Sequence, residues 1–145
     1  MILNIKPAAR YQIEDICALS DAHGREFFEE SMRSGLLTAV VTCDRAVKGV
    51  CVCRSSPIPD GCEITALFIE QERRGKGIGR KLLSYALREM RAQRFTRAFI
   101  WLDENNSEAA GFLTHFGFTF DGKERKAPSP DGSAMISEMR FRIDI

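Results

Sequence analysis

The chain reads as a mixed α/β fold in the order β-α-α-β-β-β-α-β-α-β-β, and three observations point there. Apolar, β-branched runs of strand length recur between breaks rich in glycine, proline and aspartate. Between two of these runs, apolar residues return at Ile78, Leu82, Leu83, Ala86 and Met90, the spacing of one helix face, which makes a strand–helix–strand unit. At 145 residues and 44% hydrophobic content, the chain suits one domain over residues 1–145 that buries about two-thirds of its unfolded surface.

The elements follow in order. Ile2 to Ile5, closed by Lys6-Pro7, is a first strand. Ala8 to about Met32 is one or two helices, with Ile13, Ile16, Cys17 and Leu19/Ser20 at helical spacing and a break at His23-Gly24; Gly35 ends the glutamate-rich part. Leu36 to Thr42 is a strand, Asp44-Arg45-Ala46 a tight connection, and Val47 to Arg54 its hairpin partner. Ser55 to Gly61, with two prolines and an Asp-Gly, is a loop. Cys62 to Ile69 is a central strand, the helix lasts to about Gln93, and Arg97 to Leu102 is another buried strand. Ser107 is placed to cap a helix carrying Ala109, Ala110, Phe112, Leu113 and Phe116 that stops at Gly117. Phe118 to Asp121 and Ala134 to Ile143 are two last strands around the Pro128–Gly132 loop.

Composition excludes several functions. With 21 basic and 20 acidic side chains the net charge is +1, which argues against a nucleic-acid binder working by bulk attraction. No apolar run reaches the roughly 18 residues of a membrane span, and Met1 to Arg10 lacks the basic and apolar regions of a secretion signal. A cytoplasmic protein is expected. Five cysteines leave one unpaired and form no CxxC, while the two histidines, His23 and His115, lie far along the chain from Cys51 and Cys53. That pattern predicts buried reduced thiols and no metal. Trp101 reads as core, His23 as a loop histidine and His115 as a helix-surface one. Phe27, Phe28 and Met32 suit either a core contact or the lining of a substrate pocket.

Charge is uneven along the chain. From Arg73 to Arg97 nine basic residues face only Glu89, so the segment carries about +8 and the remainder about −7. The first five of these basic residues crowd Arg73-Arg74-Gly75-Lys76-Gly77-Ile78-Gly79-Arg80-Lys81, between a strand and an amphipathic helix. Glycines there let successive backbone N–H groups converge, and the helix start adds unpaired donors and a positive dipole end. This is a phosphate cradle. It is not a Walker loop, because no GxxxxGK[ST] string occurs, and the Gly75-x-Gly77-x-Gly79 spacing misses GxGxxG.

These residues resemble the GNAT superfamily of acyl-CoA-dependent N-acetyltransferases. Arg74-Gly75-Lys76-Gly77-Ile78-Gly79 is similar to its R/Q-x-x-G-x-G/A pyrophosphate loop. Glu63 to Ile69 resembles the splayed strand before that loop, Asn106 to Phe118 resembles the N-x-x-A…G-F helix, and Gly49 falls where members often carry a glycine entering the third strand. The resemblance implies a central twisted mixed sheet of six to seven strands with about four helices. It implies acetyl-CoA as cosubstrate, the pantetheine arm along Leu67, Phe68 and Ile69 and the pyrophosphate on Arg74, Gly75, Lys76, Gly77, Ile78, Gly79 and Arg80. Asn106 would hydrogen-bond the arm from the far side. A backbone N–H near Leu67 or Ile69 would polarise the thioester carbonyl. Glu63 is then the candidate general base for direct attack by an amine, on a small molecule or a protein or peptide. No nucleic acid or membrane partner is expected, and a homodimer through an exposed terminal strand is in keeping with the family. One departure stands out: where members often carry a tyrosine acid, four residues before the helix-ending glycine, this chain has Leu113. Tyr85 has no helical spacing that aims it inward. That departure keeps a second reading open, a non-catalytic acyl-CoA-binding or sensing module of the same fold.

Overall fold

The computed structural model describes residues 2–20, 23–70, 77–129 and 131–145. Its strands are β1 (Leu3–Pro7), β2 (Leu37–Cys43), β3 (Ala46–Ser55), β4 (Gly61–Ile69), β5 (Arg97–Asp103), β6 (Thr119–Pro128) and β7 (Met135–Asp144). Its helices are α1 (Ile13–Cys17, entered through a 3-10 turn at Arg10–Gln12), α2 (Arg25–Ser34), α3 (Ile78–Ala92) and α4 (Ser107–Phe116). The strands form one seven-stranded sheet in the order β1-β2-β3-β4-β5-β7-β6. Only β4 and β5 run parallel, joined through α3; every other neighbouring pair is antiparallel.

The two faces of the sheet carry two cores. On one, Ala39, Val41, Cys51, Cys53, Cys62, Ile64, Ala98 and Ile100 pack under Ile78, Leu82, Leu83, Ala86, Leu87 and Met90 of α3 and Leu113 of α4. On the other, Val40, Val50, Val52 and Ala66 pack against Ile13 and Ile16 of α1 and Phe28 of α2. Strands covered on both faces lose the alternation of a half-exposed strand, which is why β2 is buried at every position and reads as a continuous apolar run.

Element boundaries shift from the sequence reading, and four places show a local reason. The β2–β3 turn is tight, as the spacing suggests, but Asp44 and Arg45 take positive φ (52° and 71°) without a glycine. Both central residues of a primed hairpin turn need that conformation. Gly61 belongs to β4 rather than to the loop: it pairs with Arg97 of β5, and a Cβ there would meet Phe99 Cε2 at 2.8 Å. Asn106, not Ser107, caps α4: its Oδ1 accepts the Ala109 N–H at 3.1 Å. β6 runs on to Pro128 past an irregularity between Phe120 and Glu124. It is an edge strand, and its charged stretch Lys123–Lys126 hides the strand from a hydrophobic pattern.

Candidate active site

The site forms where the parallel pair comes apart. β4 and β5 are paired only over Gly61–Ile64 and Arg97–Ile100. Beyond that, β4 continues on β3 as far as Ile69 while β5 continues on β7 as far as Asp103. The strands therefore open into a V whose apex lies at Thr65 and Trp101.

A bulge sits at the apex. The β3–β4 register jumps from Val52↔Ala66 to Cys53↔Ile64, so Thr65 is an extra residue on β4. The jump reverses the parity of the strand: Cys62 and Ile64 face α3 below it, and Leu67 and Ile69 do so above. The Glu70 N–H donates to the Lys48 carbonyl at 2.8 Å, which sets the phase of the upper half. Alternation then turns the main-chain groups of Ala66 and Phe68 toward β3, and those of Leu67 and Ile69 toward the side that β5 has left. Of the three residues expected along the cofactor arm, Leu67 and Ile69 present main chain to the V. Phe68 instead packs its ring on the α1/α2 face.

The start of α3 stands at the mouth of the V. Gly77 caps the helix with φ 77°, a conformation that costs other residues about 1–2 kcal/mol. Helical bonding begins with the Lys81 N–H on the Gly77 carbonyl at 3.1 Å, which leaves the N–H groups of Ile78, Gly79 and Arg80 without helical partners. No acidic residue lies in that first turn. A Cβ on Gly79 would come within 3.4 Å of the Phe112 ring and 3.5 Å of Ile69 Cγ1, so the helix start rests on both the end of β4 and α4. The Arg80 guanidinium lies over the Phe116 ring, 5.2 Å from its centroid. Arg74, Gly75 and Lys76, expected to complete the loop, lie outside the described residues.

Glu63 is buried, 8% exposed, two residues before the bulge. It alternates with Cys62 and Ile64 and so faces away from α3, toward the α1/α2 side. Its Oε2 accepts two hydrogen bonds from Arg54, from Nε at 2.9 Å and Nη2 at 2.6 Å. Asn106 stands three residues beyond the end of β5, on the other arm of the V; with Oδ1 given to the helix cap, its amide NH2 is the part left for a ligand.

His23 belongs to this site, although its sequence context reads as a plain loop. It stacks on Phe27 (centroids 3.9 Å apart, 22° between planes) and lies 5.9 Å from the Phe68 ring. Its imidazole hydrogen-bonds the Thr65 main chain, at the apex itself. Burial lowers its pKa below the usual histidine value, and the Thr65 bond, which favours the protonated ring, offsets only part of that. The one sequence signal for this placement was the adjacent Phe27-Phe28 pair.

Other residues fall elsewhere. Leu113 is 1% exposed, a core residue. Tyr85 lies two turns into α3 with Arg88 over its ring, and burial with nearby Glu89 raises its pKa. Trp101 is not core: half-exposed on the open part of the sheet, it has Arg125 at 4.1 Å and Arg140 at 5.8 Å over its ring. Those arginines pair with Glu138 at 2.8 Å and Asp121 at 2.6 Å. The five cysteines are free thiols, four of them buried, and burial pushes Cys62 up to about 12. Among the described residues no cluster of His, Cys, Asp and Glu is arranged to hold a metal, and no helix is long and apolar enough to cross a membrane.

The model of the acetyltransferase (GNAT) family matches residues 6–118. The chain belongs to that family. It is accordingly a GNAT acetyl-CoA-dependent N-acetyltransferase, and the V, the α3 start and the strand order are the parts of that fold seen above. Solved structures share the fold at low identity. Ard1 from Thermoplasma volcanium superposes with a TM-score of 0.87 at 17% identity, covering 99% of this chain and 97% of that one. The ribosomal-protein-S18-alanine N-acetyltransferase of Escherichia coli does so at 0.84 and 13%, covering 99% and 94%. The paia N-acetyltransferase of Thermoplasma acidophilum, solved with coenzyme A, does so at 0.77 and 16%, covering 100% of both. No curated protein sequence matches this GNAT chain.

Proposed function

We propose that residues 1–145 form one acetyltransferase domain in which the V between β4 and β5 brings acetyl-CoA and an amine together for direct transfer. The observation that carries this reading is the reversal at Thr65, which turns the Leu67 N–H and C=O into the V beside the α3 N-terminus. Leu67 and Ile69 pair with the pantetheine arm as an added strand would, with Phe68 packing beneath. The amides of Gly77, Ile78, Gly79 and Arg80, with Arg74, Gly75 and Lys76 ahead of them, hold the pyrophosphate. Asn106 reaches the arm with its amide NH2.

Acetyl-CoA supplies an activated acyl thioester. The chain's part is to hold it, aim the amine at it, and remove a proton. An N–H of β4 directed at the thioester oxygen is worth about 3–4 kcal/mol when well aligned, and holding both reactants together removes much of the entropic barrier. An acceptor amine with a pKa of about 8 to 10 arrives mostly as ammonium at pH 7. Glu63, buried on the face away from α3, draws that ammonium and takes its proton through water. With Leu113 in the core and Tyr85 two turns down α3, the departing thiolate takes its proton from solvent; a thiol pKa of about 8.5 makes that adequate.

Thermal unfolding with acetyl-CoA, coenzyme A, ATP and NADH at matched concentrations tests the binding half. A ligand at about 100 times its Kd adds roughly 2.7 kcal/mol, on the order of 5–10 °C here. The expected result is a shift with both CoA species and none with ATP or NADH. Thiol release with spermidine, a lysine peptide and a peptide with a free N-terminus tests transfer. Glu63→Gln is expected to lower turnover by about 100-fold and leave acetyl-CoA binding intact; an unchanged rate at pH 7 removes Glu63 from the mechanism.

A further inference from the structure

His23 has the features of a built proton acceptor and no structural task that requires an imidazole. One ring nitrogen donates to the Thr65 carbonyl, so in the neutral ring the other carries a bare lone pair. Phe27 stacks on one side, Phe28 lies edge-on at 6.2 Å and Phe68 closes from β4 at 5.9 Å. Three aromatic neighbours and one main-chain bond fix the ring at the bulge, where β4 leaves β5. Glu63 lies on β4 two residues before Thr65, on the other side of the bulge, and its Oε2 is committed to Arg54.

We infer that His23 is where the proton removed from the acceptor amine comes to rest. This deepens the reading above and rests on it. The acceptor ammonium loses one proton, which Glu63 takes through water and passes on to the bare nitrogen of His23; the products are a neutral amine and an imidazolium. The imidazolium returns that proton to solvent; the second N–H proton of the reacting amine is also lost to solvent as the thiolate takes one from it, so each turnover releases one proton net. The ring must be neutral to act, and burial keeps it so at pH 7. The elements packed against it carry Arg25, Glu26 and Glu29 on α2 and Glu63 on β4. None of these contributes to the shift of the ring, which has two causes, burial and Thr65. Asp21 lies outside the described residues.

The test is the pH dependence of kcat/KM for whichever of spermidine, the lysine peptide or the free-N-terminus peptide the wild type acetylates. Wild type is expected to rise through a single limb below pH 6.5 and level off by neutrality. His23→Phe keeps the aromatic stack and loses the acceptor nitrogen. Its rate is expected to fall about 100-fold at pH 7, to keep rising toward the amine's own pKa, and to recover on adding free imidazole, with acetyl-CoA binding unchanged. A His23→Phe enzyme with the wild-type limb and rate overturns this inference and leaves the proposed function standing. So does one that loses acetyl-CoA binding or that imidazole fails to rescue, since that assigns the ring a packing role. A folded wild type that acetylates none of the three amines removes both.

Discussion

The two faces of the central sheet differ in kind. Under α3 and α4 the sheet is sealed: the buried side chains of β2 to β5 on that side are apolar, and what the V offers from there is main chain, the Leu67 and Ile69 groups and the first amides of α3. The opposite face is sealed where α1 and α2 rest on β2, β3 and the upper part of β4. Across β5, β6 and β7 it carries Phe99, Trp101, Arg125, Arg140, Asp121 and Glu138, an aromatic floor under ion pairs. Glu63 and His23 stand at the border of the two regions. Main-chain recognition is indifferent to side-chain identity, so the first face suits a ligand common to a whole family. The second is written in side chains and suits a ligand particular to this chain.

The sealed face should be the less forgiving. Leu113, 1% exposed between α4 and the sheet, stands where a tyrosine acid is often found, and its contacts here are those of a core leucine. Leu113→Ala is expected to cost about 2–5 kcal/mol by chemical denaturation, lowering Tm by on the order of 10 °C. A cost under about 1 kcal/mol would mean that α4 is loosely seated and that the contrast between the faces is overdrawn.

Gly49 carries the next largest effect and ties that face to the V. A Cβ at this position would lie 2.7 Å from Ile69 Cδ1, 2.9 Å from Val41 Cγ1 and 3.1 Å from the Phe68 carbonyl oxygen. Two of the three belong to β4 and the third to β2, so room for a methyl has to come from the strands on either side of β3. Gly49→Ala is expected to cost about 1–3 kcal/mol as overpacking, and to weaken acetyl-CoA in the thermal-shift assay by pushing Ile69 toward α3. Lost stability with unchanged acetyl-CoA binding would separate Ile69 from the cofactor arm.

The same contrast explains what the sequence made legible. The order of elements along the chain, the α3 stripe and the sealed core follow from periodicity, because burial on that face leaves only apolar choices: Ile78, Leu82, Leu83, Ala86 and Met90 are all buried as spaced. The glycine turn was legible because Gly77 answers a backbone requirement, a positive φ. What stayed hidden depends on pairing partners. The Thr65 bulge is set by register against β3, and no local pattern marks it. Trp101 reads as core because tryptophan usually is, yet its covering comes from Arg125 and Arg140, 24 and 39 positions along the chain. His23 reaches β4 across 42 positions to meet Thr65.

Asn106 joins both kinds of recognition in one side chain, and two substitutions separate them. Its oxygen caps α4, and in the proposed function its NH2 reaches the arm of acetyl-CoA. Asn106→Ala removes both and is expected to cost about 1 kcal/mol of stability. Asn106→Asp keeps a capping oxygen and removes the donor, so stability should hold while acetyl-CoA affinity falls as it does in the alanine variant. Full affinity in the aspartate variant would leave Asn106 a cap alone.

The smallest effect is the one most particular to the open face. The folded-state pKa of His23 is lowered, chiefly by burial, so the unfolded chain binds more protons than the folded one as pH falls below the ordinary histidine value near 6.5. Stability therefore rises with pH across that window: the contribution of neutral His23 is complete above about 6.5 and is lost as pH falls toward the lowered value. Urea denaturation of wild type and His23→Phe from about pH 5 to pH 7.5 should show a difference that changes on the acid side, wild type losing stability relative to the variant, and is constant at neutrality. Parallel curves would mean that the ring is as solvated at the apex as in the unfolded chain, and the aromatic enclosure by Phe27, Phe28 and Phe68 would lose its electrostatic meaning.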